Sequence, residues 1–104
     1  MLTITDKQFE DAFTAAGGWF ILTQFEKIHN WTGNKSDLVD ELFKEGFDAK
    51  RTGTNTRVSS VIRIIDSNRG KEALIKIRDS KMINKAHSDA EEKANELIQT
   101  YYSN

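Results

Sequence analysis

Apolar residues recur at intervals of three and four along most of this chain, and no proline interrupts them. That spacing gathers apolar side chains onto one face of a helix, whereas a half-buried strand needs strict alternation. Without proline no helix meets an imposed break. A length of 104 residues with 38% hydrophobic and 30% charged residues fits one ordinary core rather than a disordered chain. The expected fold is therefore all-α, a single domain over 1–104 built as a compact bundle of about five short helices. A winged helix with a small β-hairpin is the alternative, because 19–23 and 74–78 also read as short strands.

Capping residues divide the pattern. Thr5 with Gln8 forms a capping box for a helix over 6–16, where Phe9, Ala12, Phe13 and Ala16 make one stripe and Gly17-Gly18 the stop. Ile21, Leu22, Phe25 and Ile28 give a second helix over 20–29, bracketed by Trp19 and Trp31. Core packing is the first role for both tryptophans, with base stacking the alternative. Asn34 or Ser36 then caps a helix to about residue 45 that turns Leu38, Val39 and Leu42 inward. Gly46 ends it, and Phe47 folds back.

A loop over 48–55, with Thr54 or Asn55 as the next cap, leads to a helix over 56–68 with Val58, Val61, Ile62 and Ile65 inside. Beyond Arg69-Gly70, residues 71–83 read as one further short helix. Ser88 and Glu91 form a capping box for the last, whose apolar side is Ala90, Ala94, Leu97, Ile98 and Tyr101. Tyr102 lies off that stripe and hints at an interface.

Charge is segregated along the chain. Nine acidic residues face four basic ones over 1–48, ten basic face three acidic over 49–85, and four acidic face one basic over 86–104. A basic block between acidic flanks gives a local potential suited to a polyanion. The competing reading is that flanks and block neutralise one another across the fold.

Helix, turn and a second helix with a polar start, over about 34–68, resemble the outline of a helix-turn-helix nucleic-acid reader. The connection is longer than the simplest such turn. On the second helix Thr56, Ser60, Arg63 and Ser67 share the face opposite the apolar stripe. Short polar side chains allow close approach to a groove, and an arginine can bond guanine in two places. Lys50, Arg51, Arg57 and Lys71 are the expected phosphate anchors, and Asn55, Thr56, Ser60 and Arg63 the residues that face bases. A solvated face of a core helix is the plainer alternative.

Catalytic chemistry is not indicated. The chain lacks cysteine, His29 and His87 have no metal-ligand spacing, and TGTNT lacks the ending of a phosphate loop. Asp37, Asp40, Glu41 and Glu45 spread around their helix as a solvated face would. No cofactor or metal is expected. Neither a signal peptide nor a membrane-spanning run is apparent, so the expected place is the cytoplasm.

The leading expectation is a small nucleic-acid-binding protein, such as a phage or mobile-element regulator of double-stranded DNA, with a homodimer in view. The alternative is a protein-binding inhibitor or accessory factor, for example one that blocks a host nucleic-acid enzyme through charged surfaces.

Overall fold

Thr5 opens the first helix as its spacing requires. Its hydroxyl accepts from the Gln8 N–H at 3.1 Å, and the Gln8 side chain accepts from the Thr5 N–H at 2.8 Å. The computed structural model describes residues 2–103, which form α1 (Asp6–Ala16), α2 (Gly18–His29), α3 (Lys35–Phe43), α4 (Arg51–Asp66), α5 (Gly70–Arg78), α6 (Lys81–Ala86) and α7 (Ala90–Tyr102). The all-α expectation holds, with seven helices rather than about five, and no strand or wing among the described residues. Segments 19–23 and 74–78 lie in α2 and α5. The Cα radius of gyration, 13.0 Å, is that of a compact chain of this length.

At the centre stands α2. It buries Phe20, Ile21, Leu22, Phe25 and Ile28, too many for one narrow stripe, because α1, α4, α5 and α7 all pack on it. Gly17 makes the junction with α1 at a φ of 82°, a conformation open to glycine, so α2 starts as α1 stops. Outside this post α1 packs on α4 and α5 on α7, the two most extensive helix pairs. Trp19 and Trp31 pack half-buried against the core.

The cap at Asn34 is as expected, its side chain accepting from the Asp37 N–H at 2.8 Å. The helix it opens ends at Phe43, a little before residue 45, and Gly46 carries a φ of 83° in the turn that follows. Phe47 sets its ring edge-on to Phe20 at 5.0 Å.

Three expectations need correction. First, α4 starts at Arg51, with Lys50 and not Thr54 or Asn55 at its cap position. Asp48 holds that early turn by accepting from the Thr54 hydroxyl at 3.1 Å, and Gly53 packs directly against it. The connection after α3 is therefore 44–50, not 48–55. The buried stripe runs through Thr54, Val58, Val61 and Ile64, while Ile62 and Ile65 are half-buried beside it. The end of α4 is a Schellman turn on Asn68, whose φ is 59°. Arg69 N–H bonds the Ile64 carbonyl and Asn68 N–H the Ile65 carbonyl, each at 3.0 Å.

Second, 71–83 is two helices. Ser80 caps α6 by accepting from the Ile83 N–H, and the Asn84 amide donates to the carbonyls of Ile77, Arg78 and Ser80. These bonds satisfy the end of α5 and the start of α6 separately. Third, α7 begins after Asp89 with no side-chain cap, so Ser88 and Glu91 do not form the expected box.

Tyr102 also finds an internal role. It lies by Phe25, in a notch left by Gly70, where a Cβ would overlap the Tyr102 hydroxyl.

Candidate functional site

The outward side of α4 carries most of the residues nominated for nucleic acid, and the structure gives several of them internal partners. Arg57 is the clearest. Its Nε donates to both Asp48 carboxylate oxygens, at 3.0 and 3.1 Å, and its Nη1 donates to the Ala16 carbonyl at 2.6 Å. The guanidinium lies 5.6 Å from the Phe20 ring centre. A side chain held this way ties the end of α1 to α4.

Arg51 turns back to the first turns of α3. It pairs with Asp40 through Nε and donates through Nη2 to the carbonyl and hydroxyl of Ser36, both at 3.0 Å. Thr56 and Ser60 donate their hydroxyls to the carbonyls four residues back, Thr52 and Thr56. Ser67, read as part of the exposed face, is buried and bonds the Ile64 carbonyl. Lys50, Asn55, Arg63 and Lys71 are exposed, and no acid among the described residues pairs with Lys50, Arg63 or Lys71.

Asn55, Thr56, Ser59, Ser60 and Arg63 meet Asp11 and Ala15 of α1 in one shallow groove. The face that sequence spacing grouped is thus real apart from Ser67, but α1 flanks it.

Charges far apart in sequence meet in space. Arg51 pairs with Asp40, Arg57 with Asp48, Arg69 with Asp6 at 2.9 Å, and Lys76 with Glu10 at 2.9 Å. Each pair joins the central basic block to the acidic N-terminal segment. Arg69 also bonds Glu72 at 2.7 Å and lies 4.3 Å from the Phe9 ring centre. Its pKa is raised above the ordinary arginine value, first by the Glu72 hydrogen bond and then by Asp6, against the opposing pull of desolvation. Arg78 is raised by the hydrogen bond and charge of Asp79, with Glu91 adding a smaller share. Burial alone raises the Tyr102 phenol.

The acidic C-terminal flank behaves differently. Ser88, Glu91, Glu92, Asn95, Glu96 and Gln99 line one open face of α7. No lysine or arginine among the described residues forms an ion pair with Glu91, Glu92 or Glu96. In sequence this helix shows an acidic start, and the face itself emerges only with the helix's bounds. The signal was there, since 88, 92, 95, 96 and 99 fall three, four and seven apart.

No group of three or more His, Asp or Glu among the described residues is placed to hold a metal, and no described helix is long and apolar enough to cross a membrane. The fold and these faces define a small all-helical protein in which ion pairs join the central basic block to the acidic N-terminal segment and one face of α7 is open and acidic. No family model, curated protein or solved structure matches the chain.

Proposed function

We propose that this protein acts by binding another protein, with the acidic face of α7 docking on a basic surface of the partner. The observation that carries this reading is the unequal fate of the two charged blocks. Four of the ten basic residues over 49–85 are neutralised in ion pairs with N-terminal acids, while Glu91, Glu92 and Glu96 form no ion pair among the described residues and keep their charge for something outside. Charge of one sign on an open face steers encounter with a surface of the opposite sign. A nucleic-acid-binding groove of another protein has that character, which makes an inhibitor or accessory factor of a nucleic-acid enzyme the fitting role.

The test is capture of partners from nuclease-treated extract by the wild-type protein and by a triple variant, Glu91→Gln, Glu92→Gln and Glu96→Gln. A partner lost in the triple variant and kept by Lys50→Ala with Arg63→Ala supports the reading. Equal capture by wild type and triple variant sinks it.

A second reading, double-stranded DNA on α4, is favoured by Lys50 at its cap position and Arg63 along it, which have no ion-pair partners among the described residues, with the exposed Asn55 between them. With Lys71 they offer three cations. Binding to random duplex should then weaken with salt at a log–log slope of about −2.7, from −0.9 per phosphate contact. Arg63→Ala should relax sequence preference, whereas Lys50→Ala should weaken all sequences alike. Anisotropy titration of labelled duplex at several salt concentrations decides it, and absence of binding at low salt ends this reading.

A further inference from the structure

Where α2, α3 and α4 meet, a cleft of about 240 Å³ opens at the surface. Its depth is apolar, since Ile28 and Leu38 beneath it are buried. Ile62 and Ile65 line it half-buried, which is why these two leave the main stripe of α4. Trp31 supplies an aromatic wall whose orientation is fixed twice. The indole N–H donates to the Asn34 carbonyl at 2.8 Å, and Gly33 lies so close that a Cβ there would sit 3.2 to 3.5 Å from the ring.

Two exposed charges of opposite sign share this cleft, Lys35 and Asp66. They form no ion pair with each other, and no other described residue pairs with either. The Lys35 ammonium is hydrogen-bonded to the neutral Ser59 hydroxyl. Its flexible stem lets it turn to a stronger acceptor. An apolar slot with a fixed aromatic wall, a free cation and a free anion suits a ligand with a ring and both opposite charges. The ring would gain by leaving water, and the charged ends would set its orientation through charge-assisted hydrogen bonds. Size narrows the class further: the cleft is below the ~300–1,000 Å³ of typical sites for drug-sized ligands. The space within it is enough for one ring with a short polar chain.

We propose that this cleft binds a small aromatic zwitterion, of the class of a free aromatic amino acid. The ring lies against Trp31, Ile62 and Ile65, the carboxylate meets Lys35 and the ammonium meets Asp66. The site is independent of the α7 face.

The experiment is a two-dimensional ¹H–¹⁵N NMR titration of the full chain with L-phenylalanine. Expected are saturable shifts of the Trp31 indole N–H and the amides of Gly33, Ile62, Ile65 and Asp66, while the Trp19 indole stays still. Three analogues separate the contacts: phenethylamine lacks the carboxylate, 3-phenylpropionate lacks the ammonium, and N-acetyl-L-phenylalaninamide lacks both charges. Lys35→Met should weaken L-phenylalanine about tenfold and leave phenethylamine unchanged; Asp66→Asn should weaken L-phenylalanine and phenethylamine by a similar factor and leave 3-phenylpropionate unchanged. Absence of saturable shifts at the cleft overturns the proposal. So does binding of the uncharged amide as tight as that of L-phenylalanine, or equal binding by both variants and the wild type.

Discussion

Arg57 illustrates how a side chain's role depends on what faces it. In sequence it is one more cation in a basic run; in space its donors are divided between Asp48 and the last carbonyl of α1. Its side chain is 29% exposed and that of Asp48 15%, so each charge depends on the other for compensation. Arg57→Met should therefore cost about 2–4 kcal/mol, short of the ~3–5 kcal/mol for a fully buried pair because solvent screens part of it. Urea unfolding measures the loss, and Arg57→Met with Asp48→Asn together should cost less than the sum of the single changes. A loss within the ±0.5 kcal/mol of an ordinary surface change would show that the clamp contributes nothing.

No local pattern reveals this contact, since Ala16 and Arg57 lie 41 residues apart. The capping box at Thr5, by contrast, closes within three residues and was legible.

Tyr102 gives the second prediction at this scale. Burial favours its neutral phenol and raises the folded pKa above the ordinary value of 10.0. The raised value means that the stability it contributes is whole below about pH 10 and is lost as pH rises through the folded value. Urea unfolding at about pH 8 and at steps up to about pH 11 should show wild type falling more steeply than Tyr102→Phe. Parallel profiles for the two proteins would contradict it.

At the scale of elements, helix faces were easier to read than helix ends. The stripes of α1, α2, α3 and α7 follow their spacing because packing acts on periodicity. The ends depend on partners elsewhere. A run of Thr, Gly and Asn favours a loop by propensity, yet 51–55 is helical because Asp48 and Thr54 bond across the turn and Thr54 is buried. The α5–α6 break turns on the Asn84 amide, which reaches back as far as Ile77.

Of these elements α6 is the most lightly held. It has six residues and no fully buried side chain, and Met82 is 82% exposed. It is tied down by the Asn84 amide bonds to the end of α5, by Ile83 set against Gly18, and just beyond its end by His87 stacked on Trp19 at 3.5 Å. Opening it exposes little apolar surface, so its free energy of opening should be well below that of the molecule. Native-state hydrogen exchange should find the amides of 83–87 exchanging faster than those of 58–64 in α4, by a factor of at least about 100, or roughly 2.7 kcal/mol. Equal protection in both segments would place α6 within the global unit.

For the whole molecule, long-range pairing overrides the order of charges in the chain. Acidic and basic segments separate along the sequence but meet in four ion pairs in the fold, and Glu91, Glu92 and Glu96 of α7 stay outside them. The same geometry makes α2 the element shared by the two most extensive helix pairs, α1 with α4 and α5 with α7. Phe25 of α2 faces the second of these pairs: it is fully buried, 5.7 Å from the Tyr101 ring and 6.2 Å from the Tyr102 ring between centres. Phe25→Ala removes a large side chain from a closed site, so about 3–5 kcal/mol should be lost. Against a total of ~5–15 kcal/mol for a domain of this kind, that leaves it marginal. Because both helix pairs rest on α2, the loss should spread to the whole molecule. Far-ultraviolet dichroism reports all the helices, and Trp19 and Trp31 report opposite ends of α2. In urea the two signals should move together, to a lower midpoint with the slope unchanged. Were dichroism to fall in two steps while fluorescence fell in one, α5 and α7 would be unfolding apart from α1 and α4, and α2 would not couple the two pairs.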